Sequence, residues 1–265
     1  LMNIEIVKNL AQARKCLDEG LPTSLCSHIL SKINSMFHQI GHKVKESDFA
    51  MISVLVSAQL MNVMGLYHEL CGDVKYREGL YQEALDYYQK ALSSSASELN
   101  RYAWTMKCAG SYEKLGNYPE ALKQAKQCLA QLYEMEAAEE KMKEVETNMG
   151  LTYGRIGGIL LAMHMYSDAY VHLKKSVQIF ETIYRNERSM QSICDYATAL
   201  FKTAELVADT AEAKECNSIQ MAEALQFSKK AELMMMEYIS CTSDFQWMEN
   251  LEICKRLQKK LGGYV

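Results

Sequence analysis

The sequence predicts an all-α protein built from antiparallel helical hairpins, and three observations support this fold class. Only 2 prolines and 13 glycines occur among 265 residues, too few for the many turns of an all-β protein. Alanine, leucine, lysine, glutamate, glutamine and methionine, which favour helices, are abundant. A turn followed by regularly spaced tyrosine and alanine recurs along the chain, which indicates an internal repeat.

The N-terminal part of the chain is predicted to contain three helices. Residues 3–19 have an amphipathic pattern that ends at Gly20, and residues 24–45 have a second one after Pro22. Ser47 is the predicted N-cap of a third helix, which extends to Val74 and carries an apolar stripe. The first two helices therefore form a hairpin that precedes the repeats.

Each copy of the repeat consists of a helix, a tight turn and a second helix. Gly79 in the first copy and Gly116 in the second lie in the turn, whereas His164 takes this place in the third. The second helices match at Tyr81, Ala84, Tyr88, Ala91 and Leu92, at Tyr118, Ala121, Ala125, Cys128 and Leu129, and at Tyr166, Ala169, Leu173 and Val177. The first helices carry small residues upstream of the turn, namely Gly72, Ala109 and Gly157. Small residues let the two helices of a hairpin approach closely.

Capping and helix-breaking residues predict the remaining helices. Ser95 is the predicted start of the helix after the first copy, and Pro119 lies in the first turn of the following helix. No breaker occurs at residues 120–148, so this segment is either one long helix or two helices joined by a bend near Ala137. Ser243 starts the last helix, whose apolar stripe and charged remainder are typical of a solvating cap.

These copies resemble the tetratricopeptide repeat family, whose units are helical hairpins stacked into a right-handed superhelix. The match is good over residues 65–129, looser over 150–178 and faint over 222–231. The copies are more widely spaced than the compact form of about 34 residues, and the usual closing proline is missing. The resemblance implies one continuous solenoid, with an N-terminal helical hairpin at 1–46, irregular repeats at 47–241 and a C-terminal capping helix at 242–265.

In that family the first helix of each unit lines a concave groove, where protein ligands bind. The resemblance implies that the following residues contact a partner: Glu69, Asp73, Tyr76, Arg77, Met106, Lys107, Lys114, Gly154, Arg155 and Gly158. Glu69 and Asp73 stand where chaperone-binding members carry lysine and asparagine, and two acids would repel the C-terminal carboxylate of a chaperone. An extended or helical protein segment of mixed charge fits this pattern better.

The sequence predicts neither a catalytic nor a metal-binding site. His38 and His42 lie one helical turn apart, but the glutamate of the HExxH motif is missing and no third ligand is implied. The glycine-rich residues 150–158 lack both the GxGxxG spacing and the Lys-Ser/Thr pair of phosphate-binding loops. These glycines either permit close helix packing or clear space for the backbone of a ligand. We therefore expect no cofactor and no enzymatic activity.

The leading functional interpretation is a non-enzymatic adaptor or scaffold that binds a partner segment within a larger complex. One alternative is a structural subunit that self-associates, for example through the hairpin at residues 3–45. Another is a helical-repeat protein that binds nucleic acid, for which the candidate basic groups are the pairs Lys174-Lys175, Lys229-Lys230 and Lys259-Lys260. A formal net charge of -4 with both signs intermixed disfavours this second alternative.

The cysteines and the hydropathy pattern predict where the protein resides. Nine cysteines are scattered without CxxC spacing, which favours buried, reduced thiols over a zinc site or a disulfide framework. No apolar run is long enough to span a membrane, and the first residues lack the pattern of a signal peptide. We expect a cytoplasmic or nuclear protein that does not bind membranes.

Overall fold

The computed structural model describes residues 2–45, 50–94, 97–138, 142–212, 217–242 and 247–263. Within these ranges every regular element is helical and no strand occurs. The helices are α1 (Met2–Asp18), α2 (Thr23–Lys45), α3 (Ala50–Arg77), α4 (Tyr81–Leu92), α5 (Glu98–Lys114), α6 (Tyr118–Ala137), α7 (Met142–Ala162), α8 (Tyr166–Asn186), α9 (Met190–Glu212), α10 (Ser218–Thr242) and α11 (Met248–Gly262). The predicted all-α fold class is confirmed.

The helices belong to two compact units, residues 1–128 and residues 129–265, and the boundary falls within α6. In the first unit α1 packs against α2 and α3, α2 against α3, and α4 against both α3 and α5. In the second unit α8 packs against α7 and α9, while α10 packs against α9 and α11. Since short turns connect the paired helices, neighbours in sequence run antiparallel and form hairpins.

Most predicted helix boundaries agree with the structure, and three need comment. The helix predicted to end at Val74 continues to Arg77. Residues 120–148 contain two helices, because α6 ends at Ala137 and α7 begins at Met142. The N-cap of α5 is Ser97, whose hydroxyl accepts a hydrogen bond from the backbone N–H of Asn100 at 3.2 Å. The proposed capping residues Ser47, Ser95 and Ser243 lie outside the described residues.

Four hairpin turns share one hydrogen-bond pattern. In the first copy the N–H groups of Gly79 and Leu80 donate to carbonyls of the last turn of α3, at 3.1 and 2.9 Å. Equivalent pairs of bonds form at Gly20, Gly116 and His164, and all four turn residues have φ between 59° and 79°. This is the Schellman motif, in which a left-handed residue satisfies the last helical carbonyls. The N-terminal hairpin, which lacks the repeat signature, therefore ends its first helix with the same turn.

Close approach between paired helices depends on glycine in both units. A Cβ atom added at Gly72 would overlap the ring of Tyr88, and one at Gly157 would lie 2.6 Å from Cγ of Leu173. Both distances are too short for real contacts, so no larger residue fits without moving the opposite helix. Gly158 differs, because a Cβ added there meets no atom within 4 Å. The two adjacent glycines of α7 therefore serve different purposes.

Helix α11 buries one side and exposes the other. Leu251, Cys254, Leu257 and Leu261 are buried, whereas the charged residues Glu249, Glu252, Lys255, Arg256 and Lys259 are exposed. Six of the eight cysteines in the described residues are buried, as expected, but Cys194 is half-buried and Cys241 is exposed at the end of α10. Across the described ranges, none of the helices has the length and apolar character needed to cross a membrane.

We expect opposite effects on stability from substitutions at two equivalent turn residues. Gly116→Ala places a Cβ in a left-handed conformation and should lower the unfolding free energy by about 1 kcal/mol. His164→Gly relieves the same strain, although it also loses the 2.9 Å hydrogen bond between the imidazole Nδ1 and the hydroxyl of Tyr166. We expect it to raise the melting temperature by about 1–2 °C. Calorimetry of both variants tests this, and a destabilised His164→Gly variant would contradict it.

Adjacent glycines of α7 provide a second, internally controlled comparison. Gly157→Ala forces a methyl group against Leu173 and the carbonyl oxygen of Ala169, so it should destabilise the chain by about 1–3 kcal/mol. Gly158→Ala adds a methyl group in open space and removes the flexibility of a mid-helix glycine. It should stabilise by about 0.5–1 kcal/mol. Urea unfolding of the two variants measures both effects. Equal changes in unfolding free energy would contradict the inferred difference in packing between Gly157 and Gly158.

Candidate functional site

Three of the predicted groove residues meet in the first unit. Glu69 and Asp73 lie one turn apart on α3, and Lys107 reaches them from α5. The ammonium Nζ of Lys107 lies 2.8 Å from Oε1 of Glu69 and 2.7 Å from Oδ2 of Asp73. These residues therefore bind one another across neighbouring helices. Whether they also contact a partner remains a prediction.

Arg14 of α1 completes this arrangement from the other side. Its guanidinium donates to Oε1 of Glu69 at 2.9 Å and to Oδ2 of Asp73 at 2.7 Å. The hydroxyl of Tyr88 donates to Oδ1 of Asp73 at 2.9 Å. Arg14, Glu69, Asp73 and Lys107 form what we call the ion-pair cluster, in which two positive charges balance two negative ones. Arg14 was not predicted, because the hairpin that carries it has no repeat signature from which to assign its position.

Burial and pairing act in opposite directions on the cluster. Glu69 is only 8% exposed, and this burial alone would raise the pKa of its carboxyl group. The nearby Lys107 and Arg14, with a hydrogen bond from Trp104, outweigh burial and lower the pKa below its ordinary value. For Arg14 burial would lower the pKa, but Glu69 and Asp73 together raise it. Both groups therefore remain charged in the folded chain at neutral pH.

An open cavity of about 380 Å³ adjoins the ion-pair cluster. Its lining residues are Arg14, Leu17, Asp18, Asp73, Tyr76, Arg77 and Tyr88. The guanidinium of Arg77 donates to the carbonyl oxygen of Leu21 at 3.3 Å and also to that of Leu17. Arg77 thus binds carbonyls at the end of α1, where the helix dipole favours a cation. Two predicted groove residues, Tyr76 and Arg77, therefore line one cavity with Asp73.

The other predicted residues lie on two further helices. On α5, Met106 is half-buried and Lys114 is exposed in the last turn. On α7, in the second unit, Gly154 and Arg155 are half-buried and Gly158 is exposed. Leu151 is 49% exposed and lies on the same side of α7, since residues spaced by three or four share a helix face. These α7 residues therefore share one side of the helix, and their contact with a partner remains a prediction.

A second cavity, of about 350 Å³, lies between α6, α7 and α8 in the second unit. Its lining residues are Tyr133, Glu136, Glu146, Met149, Tyr153, Lys175, Gln178, Ile179 and Thr182. The hydroxyl oxygens of Tyr133 and Tyr153 lie 2.5 Å apart and share a hydrogen bond. Burial, followed by this hydrogen bond, raises the pKa of Tyr153 to about 12. No sequence motif indicated this cavity, because its walls come from helices of two successive hairpins.

The part of the chain that the structure describes groups no set of metal ligands. No cluster of three or more histidine, cysteine or acidic side chains within the described ranges could hold a metal ion. Two histidines were considered as metal ligands from the sequence. His38 lies in α2, and the side chain of His42 lies outside the described residues. Ion pairs, tyrosine hydroxyls and open cavities are instead the features that the two units present. Such groups recognise a ligand by charge and shape.

Comparison with known proteins supports the fold through structure alone. No family model matches the chain, and no curated protein sequence matches it. Aspartyl phosphate phosphatase F from Bacillus subtilis is similar in structure, with a TM-score of 0.65 and 15% sequence identity. The match covers 99% of this chain and 59% of that chain, so this chain spans just under three fifths of its length.

Two further solved structures are similar. A signal-transduction ATPase with a tetratricopeptide repeat sensor from Pyrococcus horikoshii has a TM-score of 0.59 and 14% identity, covering 98% of this chain and 36% of that one. The apo form of RapI has a TM-score of 0.51 and 12% identity, covering 98% and 77%. This chain has a tetratricopeptide-like fold. The identities show the fold only, so the role of each residue depends on the geometry of this chain.

Within the tetratricopeptide-like arrangement, α3, α5 and α7 are the first helices of the three copies. The ion-pair cluster joins two of them and adds α1, which packs against α3. The direction of α1 follows from its contacts, because Arg14 meets Glu69 and Asp73 while the later Leu17 and Leu21 meet Arg77. Helices α1 and α3 thus run parallel. Helix α1 therefore corresponds to the first helix of a hairpin unit, although the N-terminal hairpin lacks the repeat pattern.

We expect the Glu69 carboxylate to make stability depend on pH. Its pKa is lower in the folded chain than the unfolded value of about 4.3, so its contribution is complete above that pH. The contribution is lost as the pH falls through the folded-state pKa. At pH 7, Glu69→Gln should reduce the unfolding free energy by about 1–3 kcal/mol, and this difference should shrink as the pH falls below about 4.

Urea unfolding of both proteins at several pH values measures this difference. Glu134 is exposed to solvent, so Glu134→Gln serves as a charge-matched control. A difference between wild type and Glu69→Gln that stays constant from pH 7 to pH 3 would show that the carboxylate does not titrate with unfolding.

Proposed function

We propose that the chain is a non-enzymatic adaptor that holds a segment of a protein partner against the first helices of its hairpins. The tetratricopeptide-like fold supports this role, since stacked hairpins present extended binding surfaces. The observation that carries the proposal is a partly exposed face on α7. It comprises Leu151, Gly154, Arg155 and Gly158, which correspond to predicted ligand positions.

The glycines of this face have no evident role in the fold. Gly158 does not adopt a left-handed conformation, and no atom lies within 4 Å of a Cβ added there. At Gly154 an added Cβ would make an ordinary 3.4 Å contact with Oγ of Ser176. A mid-helix glycine is less stable than alanine by about 0.5–1 kcal/mol, so its presence favours a reason outside the chain. Close approach by the backbone of a partner supplies that reason.

Neighbouring side chains would complete the contact. Leu151, half exposed, provides apolar area that a partner can cover, and Arg155 provides a cation for an acidic group. In the first unit we propose that Tyr76, Arg77, Met106 and Lys114 contact the same kind of segment. Glu69, Asp73 and Lys107 would contribute as a neutral surface, because their charges are balanced within the ion-pair cluster. Although the cluster is neutral overall, its separated positive and negative groups would orient a mixed-charge segment.

Self-association is a second candidate, and one observation favours it. Ile4 and Val7 of α1 are 61% and 53% exposed, so the first hairpin presents apolar side chains to solvent. A second copy could cover them. For nucleic acid the structure provides less support, because one lysine of each basic pair binds a carboxylate of the same chain. These pairs are Lys174–Glu223, Lys230–Glu181 and Lys260–Asp209.

Affinity capture from cell extract with four forms of the intact chain tests the adaptor. The forms are wild type, Gly158→Ala, Leu151→Gln and Leu233→Gln. The last is the matched control, since Leu233 on α10 is 57% exposed and lies outside the predicted groove. We expect Gly158→Ala and Leu151→Gln to lower recovery of a partner about tenfold, by blocking backbone approach and by removing apolar contact.

The control variant should recover the same partner as wild type. Equal recovery by all four forms would exclude the α7 face as the binding surface. Sedimentation of wild type in the same buffer separates the second candidate, because a dimer that dissociates on Ile4→Gln and Val7→Gln substitution would indicate self-association through α1.

A further inference from the structure

The cavity between α6, α7 and α8 lies on a different side of α7 from the proposed groove face. Glu146, Met149 and Tyr153 line it and share one side of the helix, because they are spaced by three and four residues. Leu151 and Gly158 point elsewhere, since a rotation of about 100° per residue places each of them about 120° or more from all three. The cavity is therefore separate from the groove, and a ligand there would not compete for the same surface.

Charged groups at this cavity differ from those at the cavity of the first unit. There, Arg14 and Asp73 are paired inside the ion-pair cluster and Arg77 binds backbone carbonyls, so among the described residues only Asp18 of the lining charges lacks such a partner. Here, Glu136 and Glu146 form no ion pair with another residue in the described part of the chain. The same holds for Lys175, which lines the cavity from α8. Two carboxylates against one ammonium leave a net negative charge.

Aromatic rings form a wall of the same cavity. Tyr133 is 44% exposed, and a hydrogen bond between the two hydroxyl groups joins it to Tyr153. The face of a tyrosine ring attracts a cation within about 6 Å of its centre. Met149 and Ile179 add apolar surface that can cover the aliphatic part of a long side chain. At about 350 Å³ the cavity falls within the range of ligand-binding pockets.

We propose that this cavity is a second binding site, which takes an arginine side chain of a protein partner. The guanidinium group stacks on the tyrosine rings and donates to Glu136 and Glu146. Arginine fits better than lysine, because its planar group can stack and bind carboxylates at the same time. The site does not depend on the proposed groove, since it uses other residues on the opposite part of α7.

Lys175 has a defined role in this site. Its ammonium group carries the same charge as the incoming guanidinium and lines the same cavity, so it opposes binding. Removing the Lys175 charge should therefore strengthen binding, whereas removing a carboxylate should weaken it. A surface that attracts cations only through the overall negative charge of the chain would not distinguish the position of each group. The signature of the cavity is therefore that these two substitutions change the affinity, while a charge-matched substitution outside the cavity does not.

The test uses the intact chain with carbon-13 labels on methionine and isoleucine methyl groups. The probe is a capped pentapeptide with one arginine between alanines, and the matched probe carries uncharged citrulline in its place. Nuclear magnetic resonance follows the methyl signals of Met149 and Ile179, which line the cavity. We expect saturable shifts of both signals with the arginine probe and affinity about tenfold lower for citrulline.

Variants then assign the charges. Glu136→Gln should weaken binding of the arginine probe about fivefold, and Lys175→Gln should strengthen it by a similar factor. Glu134→Gln is the matched control, because Glu134 is exposed on the same helix and does not line the cavity. It should change the affinity by less than about twofold.

Three results would overturn the proposal. The first is the absence of saturable shifts at Met149 and Ile179 in wild type. The second is equal affinity for the arginine and citrulline probes, which would show that charge is not recognised. The third is weaker binding by Lys175→Gln or equal effects of Glu136→Gln and Glu134→Gln, which would place the interaction on the general surface of the chain.

Discussion

Close contact between a small residue on one helix and a large residue on the next is the interaction on which the rest of this structure depends. Gly72 faces the ring of Tyr88 in the first unit, and Gly157 faces Leu173 in the second. In each hairpin the large side chain of one helix fills the space that a side chain at the glycine would occupy. The two helices therefore pack at the density of a protein interior. The separation of the two helices is fixed by this match. The distances across ion pairs and cavities between helices depend on this separation.

The hairpins could be predicted from the sequence because their determinants are local. Gly79 and Gly116 favour a left-handed turn, and the alanines that follow, Ala84 and Ala121, are fully buried. Such requirements recur at each copy and leave a visible pattern. His164 shows the limit of that pattern, because its backbone adopts the same conformation without glycine. The turn is defined by its hydrogen bonds, which several residue types can satisfy at different energies.

The ion-pair cluster could be predicted only in part. The register of the repeat assigned Glu69, Asp73 and Lys107 to the groove side, and the structure brings them together. Their neutralisation by Arg14 could not be foreseen, because Arg14 lies 55 or more positions away in a hairpin without the repeat pattern. Charges assigned by family position therefore do not reveal the charge presented to a ligand. That depends on which partners the fold supplies, and here the cluster is neutral.

Helix α7 shows how one segment can serve several purposes at once. The sequence GLTYGRIGG places Gly150 and Gly157 against Phe180 and Leu173 of α8, where added side chains would overlap. Its other faces are free of this constraint, so Gly158 is open to solvent and Tyr153 lines a cavity. Because the packed glycines hold α7 close to α8, both remaining surfaces are fixed before any ligand arrives. A ligand at either surface then loses little conformational freedom in ordering it, and prearranged surfaces bind more tightly for the same contact area. These glycines look alike in the sequence, but their roles differ because different atoms lie opposite each of them. Only the packing of the neighbouring helix determines which atoms those are.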